Sequence, residues 1–449
     1  MVLSHRYWLR TNLLTTSLLL PLVSVVLLGC GGGSSNPDSN ADPTPVPEPP
    51  VVSNVIDCAS YVMPSTPALL PNYEFEVTAT ELRINQRPEP IKGAVFEMFA
   101  PGEGPGYADN VPDDMPYFCV LSKAKEMGVN LIYGTFGGPE QMRTEFFEAM
   151  AHLELPVAMG IWFSGEATNY QGVEGDFQHP VFKAHVRGLI ETMIDTLHQG
   201  LGRDYNQQVL YFNLGNELSD WAVQNTNQLH PEITGYNGVY FSTPPNSNAT
   251  EAFLAEMADY TKQYETQTYG VSRPVTHTTW PVVSPTLVDT SFLDFVSYNL
   301  YSYWPEFVSE HSPGSVTGTA YQGALEELAA VAADKPFLVS EFGSSTAPLS
   351  TMSNVRTPQQ QAELFSQYWL DISTGPDNVA GGLVFQLVDQ WHKNDYLHAN
   401  DSSSPFSHDD SDSEEWFGVI SVNGDIGNPE YTTKPVYQVI QNTWTNEGD

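Results

Sequence analysis

From Ile91 onward the chain alternates short apolar runs with helically patterned stretches about eight times, and few architectures accept that pattern. A short apolar run is a strand buried on both faces, and a helical stretch between two such runs is the crossover that makes them parallel. Strands are expected at Ile91 to Phe96, Asn130 to Thr135, Pro156 to Trp162, Val209 to Gly215, Pro274 to Trp280, Asp294 to Asn299, Phe337 to Ser340 and Gly382 to Val388. Among the helices, Phe182, Val186, Leu189, Ile190, Met193 and Leu197 share one face at helical spacing, and Thr357-Pro358 is an N-cap with proline behind it. The units together predict an α/β fold, a (β/α)8 TIM barrel. Glu74 to Ile84 alternates as a strand does and Asn85-Gln86-Arg87-Pro88 reads as a turn, so a short β-hairpin is expected ahead of the barrel. The stretch from Asp220 to about Asn248, rich in Asn, Gly and Pro, is read as a long loop walling the carboxyl face.

Two of the expected strands end in an acid. Tyr211-Phe212-Asn213-Leu214-Gly215-Asn216-Glu217 closes the fourth, and Phe337-Leu338-Val339-Ser340-Glu341-Phe342-Gly343 closes the seventh. In such a barrel the carboxyl ends of the strands carry the chemistry. Two carboxyls brought together there are what a double-displacement glycosidase needs, one as nucleophile and one as proton donor, about 5 to 5.5 Å apart. An amide beside the donor, here Asn216, can hold the sugar 2-hydroxyl. Taken singly, either glutamate reads equally well as a surface acid. The pairing at the ends of strands four and seven is what carries the catalytic reading. Trp162 and Trp280 are candidates for sugar stacking or for plain core. His277 lines the cleft or satisfies a backbone group.

The motifs Gly215-Asn216-Glu217 and Ser340-Glu341-Phe342-Gly343, with Ile91-Lys92-Gly93, Gly160-Ile161-Trp162 and Ser297-Tyr298-Asn299-Leu300-Tyr301, resemble clan A of the glycoside hydrolases, the retaining (β/α)8 enzymes. The resemblance covers most of residues 80 to 445 and is nearest to the catalytic barrels of family 2 and to the β-1,3-glucan-active families 17 and 72. It implies Glu217 as acid/base, Glu341 as nucleophile and Asn216 on the 2-hydroxyl. It also implies Tyr301 hydrogen-bonded to the nucleophile and Trp391 flooring the subsite beside the cleavage point. One departure stands out: where these families place an arginine on strand two, this chain has Tyr133. The substrate expected is a β-linked polysaccharide or oligosaccharide, with β-glucan transglycosylation as an alternative on the same residues. A non-catalytic glycan-binding barrel is the alternative from another class.

The amino terminus reads as targeting. Arg6 and Arg10 precede an apolar run from Leu13 to Leu28 that ends in Gly29-Cys30, which resembles a bacterial lipoprotein signal. The expected organisation is a signal over residues 1–29, a Gly/Ser/Pro-rich tether over 30–54, and the catalytic domain over 55–449. Cys30 would be lipidated and hold the protein in the cell envelope, at the outer membrane of a Gram-negative cell; a single membrane-spanning helix is the duller reading. Cys58 and Cys119 then remain in an oxidising compartment, as a disulfide or as two buried thiols. A net charge of −37 repels nucleic acid and anionic lipid, so membrane contact is expected only through the lipid at Cys30. No cofactor and no metal is expected, and the protein is expected to be a monomer. The run Asp409-Asp410-Ser411-Asp412-Ser413-Glu414-Glu415 is read as a solvated loop, with calcium binding as the alternative.

Overall fold

The computed structural model describes residues 54–97, 99–104, 115–135, 138, 141–168, 172–280, 287–302, 310–332, 334–393 and 409–445. The expected signal, Cys30 and all of the tether but Asn54 lie outside them. The first elements are a hairpin of β1 (Phe75–Val77) and β2 (Leu82–Ile84). Its turn falls inside the stretch read as one strand, because Thr78 Oγ1 accepts from the Thr80 and Glu81 amides and folds the chain back there. Eight strands follow: β3 (Ile91–Glu97), β4 (Leu131–Thr135), β5 (Val157–Ile161), β6 (Val209–Asn216), β7 (Val275–Thr279), β8 (Val296–Asn299), β9 (Phe337–Phe342) and β10 (Val379–Val384). All pair in parallel and close into a barrel in the order β10-β3-β4-β5-β6-β7-β8-β9.

The helices are α1 (Tyr117–Glu126), α2 (Thr144–His152), α3 (Pro180–Asp195), α4 (Asp220–Leu229), α5 (Ala249–Tyr269), α6 (Ala320–Ala332), α7 (Pro358–Ser373) and α8 (Pro435–Thr445). Capping boxes open two of them, Asn248 with Glu251 on α5 and Thr357 with Gln360 on α7. The α4 helix lies where a loop was expected; Ala222, Val223 and Thr226 bury one side of it, and packing overrides a sequence poor in helix formers. Outward-facing strand residues such as Phe96, Met159, Phe212 and Val339 meet the helices in one core. Inside the barrel a second cluster gathers Val95, Leu131, Tyr211, Phe295, Leu338 and Leu383, with Phe75 and Val77 of the hairpin packed against it.

The eighth barrel strand ends earlier than the apolar run suggested. Past Val384 the regular pairing gives way to alternating bonds: Phe385 N donates to Phe342 O and Leu387 N to Val95 O of the barrel, while Gln386 N donates to Phe417 O and Val419 N to Gln386 O. That turns the chain toward an antiparallel pair, β11 (Ile420–Asp425) with β12 (Asn428–Thr433). The start of the domain adds to the same pair through Ile56 N to Tyr431 O and Thr433 N to Asn54 O. A disulfide joins Cys58 to Cys119 of α1, with Cα atoms 5.3 Å apart.

Candidate active site

Glu217 and Glu341 reach the barrel mouth by the same local device. Between the pairs Asn213 with Thr276 and Asn216 with Thr278, β6 carries one residue more than β7. Between the pairs Tyr298 with Val339 and Asn299 with Glu341, β9 carries one more than β8. Each is a bulge just before the acid, and a bulge breaks strand alternation so that a side chain is re-aimed. On β6 the re-aiming uses left-handed backbone: Gly215 has φ 65° and Glu217 has φ 46°. A Cβ at Gly215 would lie 2.5 Å from Phe163 Cζ, so no other residue fits there. Glu217 itself has a Cβ, and a left-handed conformation costs such a residue about 1–3 kcal/mol, borne here with the Glu217 amide bonded to Thr278 O at 3.0 Å.

A chain of hydrogen bonds runs from Glu217 to Ser340, the residue before Glu341. Asn299 Nδ2 donates to Glu217 Oε1 at 2.7 Å and to Asn216 Oδ1 at 3.3 Å, and Asn299 Oδ1 accepts from Ser340 Oγ at 3.0 Å. Ser340 precedes Glu341, whose Oε2 accepts from the Tyr301 hydroxyl at 2.8 Å. Asn213, Thr278 and Ser297 extend the network inward, and Asn213 Nδ2 donates to the Tyr133 hydroxyl at 2.8 Å. Burial raises the Glu217 carboxyl to about 7 against the Asn299 bond that favours its charge. Burial, then the charge of Glu217, raises Glu341 well above the ordinary carboxylate range. Both carboxyls therefore hold a proton to higher pH than an ordinary carboxyl does. Such a pair can donate a proton from one oxygen and attack with another.

Trp162 is 38% exposed and continues the inward-facing series Ala158 and Gly160 to the mouth. Gly160 makes room for it: a Cβ there would come within 2.7 Å of the Tyr133 hydroxyl and 2.9 Å of Trp162 Nε1. The reading of Trp391 needs correcting, and of the two readings of His277 the backbone partner is the one found. Trp391 is buried in the outer core with its indole N–H donated to Val422 O at 3.2 Å, because past Leu387, the last residue bonded to β3, the chain pairs with Ile420 and runs outward. The ring beside the strand that carries Glu341 is instead Phe385, edge-on to Phe417, which is edge-on to Tyr301. His277 lies on the outward face of β7 with Val275; its Nδ1 donates to Leu214 O at 2.5 Å, and burial lowers its pKa to about 4, so the ring is neutral. The acidic run is solvated only in part: Asp410 is exposed, but Asp412 and Glu415 are buried, and the Asp409 and Glu414 amides donate to Glu415 and Asp412. Among the described residues no group of three or more His, Cys, Asp or Glu is arranged to hold a metal.

Sequence reasoning passed over Asn299, although its motif was noted, and over a cluster at the end of β3. There Glu97 Oε1 lies 2.8 Å from Lys393 Nζ and Oε2 lies 3.1 Å from His392 Nε2. Burial works to raise Glu97, but Lys393 and the His392 hydrogen bond outweigh it and hold the carboxyl at about 2. The signal was available, since Ile91 to Glu97 is a third apolar run ending in an acid.

No protein-family model matches this sequence, and no curated protein matches it. Solved structures do. A GH2 β-galacturonidase from Eisenbergiella tayi bound to galacturonate superposes with a TM-score of 0.54 at 15% identity, over 84% of this chain and 55% of that one. The β-D-glucuronidase of Dictyoglomus thermophilum gives 0.54 at 15% over 83% and 54%. A Bifidobacterium dentium β-glucuronidase complexed with coumarin-3-O-glucuronide gives 0.53 at 12% over 83% and 49%. This chain therefore spans about half the length of these neighbours. At such identities the likeness is one of fold: the chain has the eight-stranded parallel barrel on which these glycosidases are built.

Proposed function

We propose that the protein is a glycoside hydrolase that cleaves β-linked sugars with retention of configuration. The observation that carries this reading is the pair Glu217 and Glu341, set on bulged strand ends, with Asn299 bonded both to Glu217 and to Ser340 beside Glu341. Glu341 is the nucleophile: its carboxylate oxygen bonds to the anomeric carbon while the glycosidic oxygen departs with the proton of Glu217. Glu217 then takes a proton from water, whose oxygen displaces Glu341 and leaves both groups as they began. Tyr301 supports this division of labour, since a hydroxyl donated to Glu341 favours its charged form. Asn216 is suited to the sugar 2-hydroxyl and the exposed face of Trp162 to an adjoining sugar ring.

From the structural neighbours we carry over the glycoside-cleaving class and leave the uronic acid with them. The finer substrate assignment, a β-glucan with β-1,3 linkages, rests on the motif resemblance alone. The protein is further proposed to act from the cell envelope, anchored by lipid on Cys30. A panel of β-glucans, mannans, galactans and β-uronides, incubated with wild type and Glu341→Gln, tests the reading. The expected result is that one polysaccharide class is cleaved, the first sugar released is the β-anomer by proton NMR, and the variant is inactive. Full activity in Glu341→Gln refutes the role of Glu341. Longer products from laminarin-type oligomers would identify transfer to sugar in place of water.

A further inference from the structure

A nucleophilic carboxylate must be ionised while its partner holds a proton, yet burial raises both Glu217 and Glu341, and the charge of Glu217 raises Glu341 further. Something has to supply positive charge to the mouth. Strand β4 does not, because Tyr133 is neutral. Cations are scarce in this chain, 17 Lys and Arg against 54 acids, and many are engaged away from the mouth. Lys183 and Arg187 bind Glu256, Arg203 binds Glu148, Lys262 binds Asp294, and Arg273 binds Glu265.

Lys393 is placed differently. It follows β10, its Nζ is held 2.8 Å from Glu97 Oε1, and the same nitrogen lies 5.8 Å from the centre of the Phe385 ring. Phe385 is tied to the nucleophile strand, its amide donating to the carbonyl of Phe342, the residue after Glu341, at 2.8 Å. The holder is itself fixed: Glu97 O accepts from Gln390 Nε2 at 3.0 Å, and His392 packs edge-on against Phe99 at 4.6 Å. A carboxylate buried at the end of β3 thus presents an ammonium over an aromatic whose backbone is bonded to the strand that carries Glu341.

Taking Glu341 as the nucleophile, as above, we propose that Lys393, held on Glu97 and carried over Phe385, is a positioning residue whose charge keeps Glu341 ionised, in the role left open by Tyr133. Its field lowers the pKa of both Glu217 and Glu341, whereas that of Glu97 acts on Tyr133. Glu414 opposes it, raising both carboxyls; among the described residues Glu97, His392, Tyr133 and Tyr301 are the other titratable groups around Lys393 and the pair.

The test is the pH dependence of covalent inactivation by the 2,4-dinitrophenyl 2-deoxy-2-fluoro-β-glycoside of whichever sugar the substrate panel identifies. That leaving group needs no proton, so the rate reports the ionisation of the nucleophile and not of Glu217. In Lys393→Met the acidic limb is expected to move up by on the order of one pH unit, about a tenfold loss of rate below it, with Lys393→Arg restoring the wild-type curve. An unmoved limb in Lys393→Met overturns the proposal. So does a variant whose only defect is a raised KM for a β-uronide, which would make Lys393 a reader of substrate carboxylate, or failure of Lys393→Arg to rescue. Absence of labelling in wild type would refute the glycosidase reading instead.

Discussion

The two ends of one barrel are built on opposite principles. At the amino end, Tyr211 stacks on Phe75 at 5.7 Å and meets Phe295 edge-on at 5.0 Å, with Leu82 and Ile91 filling the remaining space under the hairpin. Nothing there depends on a proton. At the carboxyl end the same interior carries Asn213, Thr278, Ser297, Asn299 and Ser340 around two carboxyls, on backbone that is bulged and left-handed. The base is where apolar burial stabilises the fold; the mouth is where stability is given up to hold charge without water. The difference implies that substitutions at the two ends have separable effects, on activity at one and on stability at the other.

The largest separation is expected for Glu341→Gln. Loss of the nucleophile lowers kcat by on the order of 10⁴-fold or more, while the melting temperature holds or rises because a buried charge that repels Glu217 is gone. A melting temperature that falls with the activity would erase the distinction between mouth and base. Glu217→Gln comes next. Turnover of substrates with poor leaving groups drops by about 10²–10⁴-fold, and formation of the glycosyl-enzyme from a dinitrophenyl glycoside is nearly untouched, since only the former needs the proton. Equal losses for both substrates would deny Glu217 the acid role.

Phe295→Ala probes the base. The ring is fully buried, and its removal is expected to lower unfolding free energy by about 3–5 kcal/mol, read from denaturant midpoints. Measured well below the transition, kcat/KM stays at the wild-type value. A parallel loss of activity would mean that the interior transmits packing defects to the mouth.

The barrel was legible because it is written in periodicity: each apolar run from Ile91 to Phe337 lies within a residue or two of an observed strand. What failed to show was whatever depends on partners far away in sequence. The α4 helix is made by the burial of Val223 and Thr226 and not by its own propensities. The outward course of the chain after β10 is set by hydrogen bonds to residues 417 to 420, which no window around Gly382 contains. That is why Trp391 looked like the floor of a subsite while Phe385 was overlooked. Glu217 and Glu341 were found as acids ending strands, yet the bulges that aim them left no mark except Gly215. His277 sits at an odd position of an alternating strand, and alternation counted from Val275 already faces it outward.

The smallest effect is one of pH, and it divides the mouth itself. Glu217 is raised from the ordinary 4.5 to about 7, so between these values the folded protein keeps a proton that the unfolded chain releases. Its contribution to stability is complete below pH 4.5 and is lost as pH rises through about 7, with Glu341 acting in the same direction. Glu97 is lowered to about 2, so its contribution is present above pH 4.5 and is lost as pH falls toward 2. Thermal melts should therefore show wild type losing stability from pH 5 to 7 more steeply than Glu217→Gln, and gaining it from pH 2.5 to 4.5 more steeply than Glu97→Gln. Phe295→Ala, having no titrating group, should run parallel to wild type across the whole range. If all four curves run parallel, the charges at the mouth are neither raised nor lowered by the fold, and the contrast between the two ends reduces to one of shape.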